Sequence, residues 1–157
     1  MTIVVPFDGS ELSAVALVRA TDLGEAFGEG VLAVTVVPEN NAEYARERDW
    51  LGPDGEFHAP TVVGRIRERV ADLAPQADFR HETVGRYAPS GTIAAELRRL
   101  ARAEDASLVV VGSDNAGHLV ASIRSVGSSV AADEAFDVLI VRRAVPTDAV
   151  GDDARSR

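Results

Sequence analysis

Short runs of apolar, mostly β-branched residues at 2–5, 31–37, 108–111 and 138–141 alternate with segments whose apolar residues recur at helix spacing. That alternation is the strongest constraint on the fold. A strand covered on both faces has no wet side and reads as an unbroken apolar run. The helical segments are equally clear. After Ser10, an N-cap residue type, Leu12, Val15, Ala16, Ala20, Leu23 and Phe27 form one apolar face, and Gly28 and Gly30 close it. Pro60 opens a second helix with Val63, Ile66, Val70 and Leu73 as its buried stripe. Ile93, Leu97, Leu100 and Ala101 mark a third helix, and Ile123, Val126 and Val130 a fourth. Residues 78–84 alternate polar and apolar, with Phe79 beside Arg80, as expected of a strand at or near a sheet edge.

The order β-α-β-α-β-α-β-α-β predicts an α/β fold. The sheet is open, parallel and five-stranded, in the order 3-2-1-4-5, with helices on both faces and right-handed crossovers. One domain is expected over residues 1–143. Residues 144–157 have no apolar period and hold Pro146, Gly151 and paired aspartates, the pattern of a solvated tail. Residues 38–59 are polar and end in Gly52-Pro53-Asp54-Gly55. They read as a loop with a short helix, of a length that is often functional. Tyr44 and Trp50 are expected to anchor it on the body; a partner-binding patch is the alternative.

In such sheets ligands sit outside the carboxyl ends of the strands, where the strand order reverses. Here the flanking strands are the first and fourth, ending in Pro6-Phe7-Asp8 and Gly112-Ser113. Gly112 stops its apolar run abruptly, and a polar loop and a helix follow. A strand, a glycine turn and a helix start form the usual layout of an anion or nucleotide site. Free N–H groups and aligned peptide dipoles attract phosphate there.

Composition narrows the classes. The formal net charge is −9, and all 16 basic residues are arginine. That surface repels nucleic acid and anionic membranes. An acidic, lysine-free chain suits a salt-rich cell, where salt screens self-repulsion; a GC-rich genome favouring Arg and Ala codons gives the same bias. There is no cysteine, which excludes disulfides and thiolate chemistry. No apolar run approaches the ~20 residues of a membrane span. Met1 leads straight into a strand without a basic n-region, so the expectation is a cytoplasmic protein.

Three stretches resemble the universal stress protein family. Val4-Val5-Pro6-Phe7-Asp8-Gly9-Ser10 is similar to the family's opening V-P-x-D-G-S, Leu108-Val109-Val110-Val111-Gly112-Ser113 to its I-V-V-G-S strand end, and Val138-Leu139-Ile140-Val141 to its closing strand. The resemblance covers residues 2–143. It implies a Rossmann-like fold and a cytoplasmic homodimer paired through the last strand, 138–141. It also implies an ATP site at Pro6, Asp8, Gly112, Ser113, Arg124, Ser125 and Val126. Nucleotide-binding members carry G-x-x-G, nine residues, then Gly followed by Ser or Thr. Here Asn115 stands in the second glycine position, one residue is missing before Gly117, and Arg124-Ser125 falls where Gly-Ser is expected. Gly127-Ser128 is the rival alignment. Asn tolerates a left-handed backbone, but an arginine side chain fills the space phosphate would use. The expectation is therefore a binding and interaction module in stress response without robust ATP binding and with no cofactor. An ATP- or AMP-binding nucleotide sensor is the alternative.

No catalytic or metal residue is expected. His118 lies near the loop but lacks an Asp or Ser partner by spacing. His58 and His81 lack metal-ligand spacing with it or with each other. Asp8 has two readings: acceptor for base or ribose donors, or cap of the first helix.

Overall fold

The computed structural model describes residues 1–89, 91–114 and 136–143. Five strands form one sheet in the order β3-β2-β1-β4-β5, with every neighbouring pair parallel. The elements run β1 (Thr2–Pro6), α1 (Glu11–Phe27), β2 (Gly30–Pro38), α2 (Ala42–Glu47), α3 (Ala59–Leu73), β3 (Asp78–Val84), α4 (Thr92–Ala103), β4 (Ala106–Gly112) and β5 (Asp137–Val141). The predicted class and strand order are those observed. The fourth helix and the tail fall on residues outside the described ones.

Burial follows strand position. β1 and β2, in the middle, are buried almost throughout. β3, at one edge, has no fully buried residue, because half its pairing capacity and one face meet water. Alternate residues of each central strand feed two cores. Ile3, Val5, Ala33 and Val110 pack with Leu17 of α1 and Ile66 of α3 on one face. Val4, Val34, Val109 and Val111 pack with Leu97 and Leu100 of α4 on the other.

Two details differ from the helical reading. The buried stripe of α3 is Val62, Ile66 and Val70, with Val63 half-buried. Both valines fit the apolar period, and packing against β3 and α1 selects the former. Phe27 is 61 % exposed. It continues the apolar face of α1 but lies in the last turn, past the end of the core. Gly28 then closes α1 at φ +70°, its N–H donating to the Gly24 carbonyl, a left-handed cap that needs no side chain.

Candidate functional site

The carboxyl ends of β1 and β4 lie beside each other through the β1–β4 ladder. Pro6 is the last residue of β1, and the chain then turns into α1. The Phe7 N–H donates to the Val34 carbonyl at 2.8 Å. The buried Thr35 hydroxyl donates to the Phe7 carbonyl at 2.6 Å. Asp8 Oδ1 accepts from the Ser10 N–H at 2.9 Å, and Ser10 Oγ accepts from the Ser13 N–H at 3.2 Å. Ser10 is thus the N-cap, as expected, and Asp8 braces the turn before it. The expected alternative of Asp8 as the cap of the first helix is corrected: Ser10 holds that position, and Asp8 accepts from the Ser10 N–H in the turn before the helix.

Gly112 and Ser113 meet this turn across the crevice. A Cβ on Gly112 would fall 2.8 Å from Leu12 Cβ and 3.1 Å from the Leu12 carbonyl carbon. The first turn of α1 therefore rests directly on the end of β4. The Ser113 N–H donates to the Val141 carbonyl at 2.8 Å, so that amide belongs to the β4–β5 ladder and does not face a ligand. Arg124, Ser125 and Val126, with Asn115, Gly117, His118 and Gly127-Ser128, lie outside the described residues. Of the seven site residues inferred by resemblance, the structure therefore brings together Pro6, Asp8, Gly112 and Ser113.

Residues 42–51 form a strap over this end of the sheet, a role the sequence left open. Trp50 is 3 % exposed and donates its indole N–H to the Asp8 carbonyl at 2.9 Å. Tyr44 lies 5.6 Å from Trp50 between ring centroids. The Arg48 guanidinium carbon sits 3.4 Å above the centre of the Tyr44 ring, a cation–π contact. Arg48 also donates from Nη1 to the Tyr44 carbonyl at 3.3 Å. Burial pushes the Tyr44 hydroxyl pKa up, against the lowering effect of Arg48 and with added raising from Asp8 and Glu47. The phenol is therefore neutral and well packed. Both aromatics anchor the strap, as expected. The short helix α2 is capped by Asn41, whose Oδ1 accepts from the Tyr44 N–H at 3.0 Å.

The cleft between the ends of β1, β2 and α4 is lined by Pro6, Asp8, Thr35, Tyr44, Ile93 and Leu97 and holds about 20 Å³. That is room for about one water, far below the ~300 Å³ at which small-molecule pockets begin. A larger cavity of about 310 Å³ opens on the other face, between the strap and α3. Arg48, Arg65 and Arg69 line it together with Asp49, Glu68 and Asp72; the charges balance, so it has no net pull on an anion. Among the described residues no group of three or more His, Asp or Glu side chains could hold a metal ion. His58 Nδ1 lies 2.8 Å from the Thr61 hydroxyl at the start of α3, and His81 stacks on Phe79 at the sheet edge. Among the described residues no helix is long and apolar enough to cross a membrane.

A doubly wound parallel sheet with a crevice between its first and fourth strands defines a Rossmann-like α/β fold. Within that class, the family model of the universal stress protein family matches residues 1–142. The chain belongs to that family. A universal stress protein solved in complex with cAMP is 25 % identical, with a TM-score of 0.51, covering 90 % of this chain and 96 % of that one. Universal stress protein UspA from Lactobacillus plantarum is 20 % identical, with a TM-score of 0.53, covering 90 % and 97 %. The Archaeoglobus fulgidus protein in complex with dAMP is 13 % identical, with a TM-score of 0.50, covering 90 % and 96 %. No curated protein sequence matches the chain.

Proposed function

We propose that this universal stress protein is a cytoplasmic binding and interaction module rather than an enzyme, that it works as a two-fold homodimer, and that it holds adenine nucleotide weakly or not at all. The observation that carries the reading is the cleft beside Asp8. Among the described residues, the space between the ends of β1 and β2 and α4, which Pro6 and Asp8 line, has room for about one water. The local hydrogen bonding agrees, because the Asp8 turn, the Thr35 hydroxyl and the Ser113 amide are all engaged within the chain. The sequence adds an arginine at the expected Gly-Ser step and no lysine to clamp phosphate. The dimer is proposed through β5, an edge strand whose Leu139 is exposed. A bare apolar edge invites pairing, and a two-fold axis lets it pair with its own copy.

Titration calorimetry with ATP and magnesium at high salt tests the nucleotide part. No heat is expected. A dissociation constant tighter than about 100 µM, roughly 5.5 kcal/mol of binding, overturns it. In that case the second reading stands, an ATP- or AMP-binding sensor, which the cAMP complex of the 25 % identical relative favours. Sedimentation at micromolar concentration tests the dimer, and a monomer there refutes it.

A further inference from the structure

Two cavities at the carboxyl end of the sheet share two lining side chains. The cleft beside Asp8 holds about 20 Å³. Next to it, at the ends of β2 and β3, lies a cavity of about 300 Å³ lined by Pro38, Asn41, Val84, Arg86 and Pro89. Tyr44 and Ile93 line both. The Tyr44 ring is held in place from several sides: Arg48 covers one face, Trp50 packs near it, and its backbone is tied to the cap at Asn41. Asn41 Nδ2 in turn donates to the Arg86 carbonyl at 3.1 Å, joining the strap to the loop after β3.

We infer that Tyr44 is a gate that decides what the crevice admits. Together with Ile93 it stands between the two cavities, whose linings reach from Asp8 on one side to Pro89 on the other. The joined space has the make-up of a site for a flat, mostly apolar ring with a polar rim, the chemistry of a purine nucleoside. Ile93, Leu97, Val84 and Pro38 supply apolar walls, while Asp8, Thr35 and Asn41 place polar groups at its edges, each already bonded within the chain. Such an arrangement matches the general pattern of small-molecule pockets, which are apolar with a few placed polar groups and hold ~300 Å³ or more. This inference rests on the proposed function and deepens it. The crevice excludes the base because a tyrosine occupies its approach, independently of any loss on the phosphate side.

The test is calorimetric titration of AMP into the wild type, Tyr44→Ala and Tyr44→Phe at high salt, with thermal unfolding to show that each is folded. Emission of Trp50, the only tryptophan, gives a second readout beside the gate. The expected result is no binding by the wild type or Tyr44→Phe, which keeps the ring, and binding by Tyr44→Ala at least tenfold above the detection limit. If Tyr44→Ala does not unfold cooperatively, Tyr44→Val replaces it, keeping a branched apolar stem with less volume. Inert wild type and inert, folded Tyr44→Ala overturn the gate and leave the proposed function standing. Binding by the wild type tighter than about 100 µM, roughly 5.5 kcal/mol, overturns the proposed function; whenever the wild type binds at all, the gate survives only if Tyr44→Ala binds at least tenfold tighter, and falls if it does not.

Discussion

Gly112→Ala is expected to destabilise the protein even though no ligand is involved. The new methyl carbon would stand 2.8 Å from Leu12 Cβ, 3.1 Å from the Leu12 carbonyl carbon and 2.9 Å from Asp114 Oδ1. Carbon pairs are comfortable at ~3.5–4.0 Å. The exposed Asp114 carboxylate can swing aside, but Leu12 Cβ and its backbone move only with the first turn of α1. That turn is pinned by the Ser10 cap and the Asp8 brace, and Trp50 is bonded to the same Asp8. Overpacking of this kind costs about 1–3 kcal/mol, from a total stability of roughly 5–15 kcal/mol for a domain. At ~2–4 °C per kcal/mol for this size, the midpoint temperature should fall by about 2–12 °C. Urea unfolding should show a lower midpoint with an unchanged slope. Gly64→Ala is the control. It lies inside α3 with open space around its Cβ position and should stabilise by about 0.4–1 kcal/mol through helix propensity and reduced unfolded-state entropy. If Gly112→Ala unfolds at the wild-type midpoint, the glycine is not there for helix–strand contact, and its role must be sought in the loop that follows.

Three further outcomes are expected. Tyr44 has a hydroxyl pKa raised by burial, so its contribution is fully present below the unfolded tyrosine value of ~10 and is lost as pH rises through that value towards the higher folded one; Tyr44→Phe should flatten this part of the stability profile, and an identical alkaline decline in the variant counts against the assignment. With a net charge of −9, the unfolding temperature should rise between about 0.1 and 1 M KCl, as the screening length falls from ~10 to ~3 Å; a flat response means self-repulsion is not limiting. Leu139→Asp, on the exposed face of β5, should convert a sedimenting dimer to monomer without lowering the unfolding cooperativity of the monomer, and a dimer that persists moves the interface elsewhere.

Most of the fold was legible because its signals are local. β1, β2 and β4 are dominated by apolar residues since little water reaches either face, and β3 is mostly polar since it lies at the edge. Ser10 announced the start of α1 by its type alone. The failures arise where distant residues decide. Val62 and Val63 satisfy the same period, and only the position of α3 over the sheet separates them. Phe27 obeys the pattern of α1 but outruns the core it was patterned for.

The site shows the same division more sharply. Gly112 reads from sequence as a turn made for a ligand, yet its nearest neighbour is Leu12, a hundred residues earlier. Tyr44 carries no motif. Its position over the crevice depends on Trp50 reaching back 42 residues to Asp8 and Asn41 reaching forward 45 to Arg86. A polar stretch such as 38–59 has no period to read, because its conformation follows from where those bonds end rather than from an apolar face of its own. The clue that was available is the aromatic pair in an otherwise polar segment. Two large apolar rings need burial worth ~1.5–3 kcal/mol each, and the ends of β1 and β2 offer it. Burying the rings there places the phenol in the crevice, so one step both folds the strap and sets the size of what the site can take.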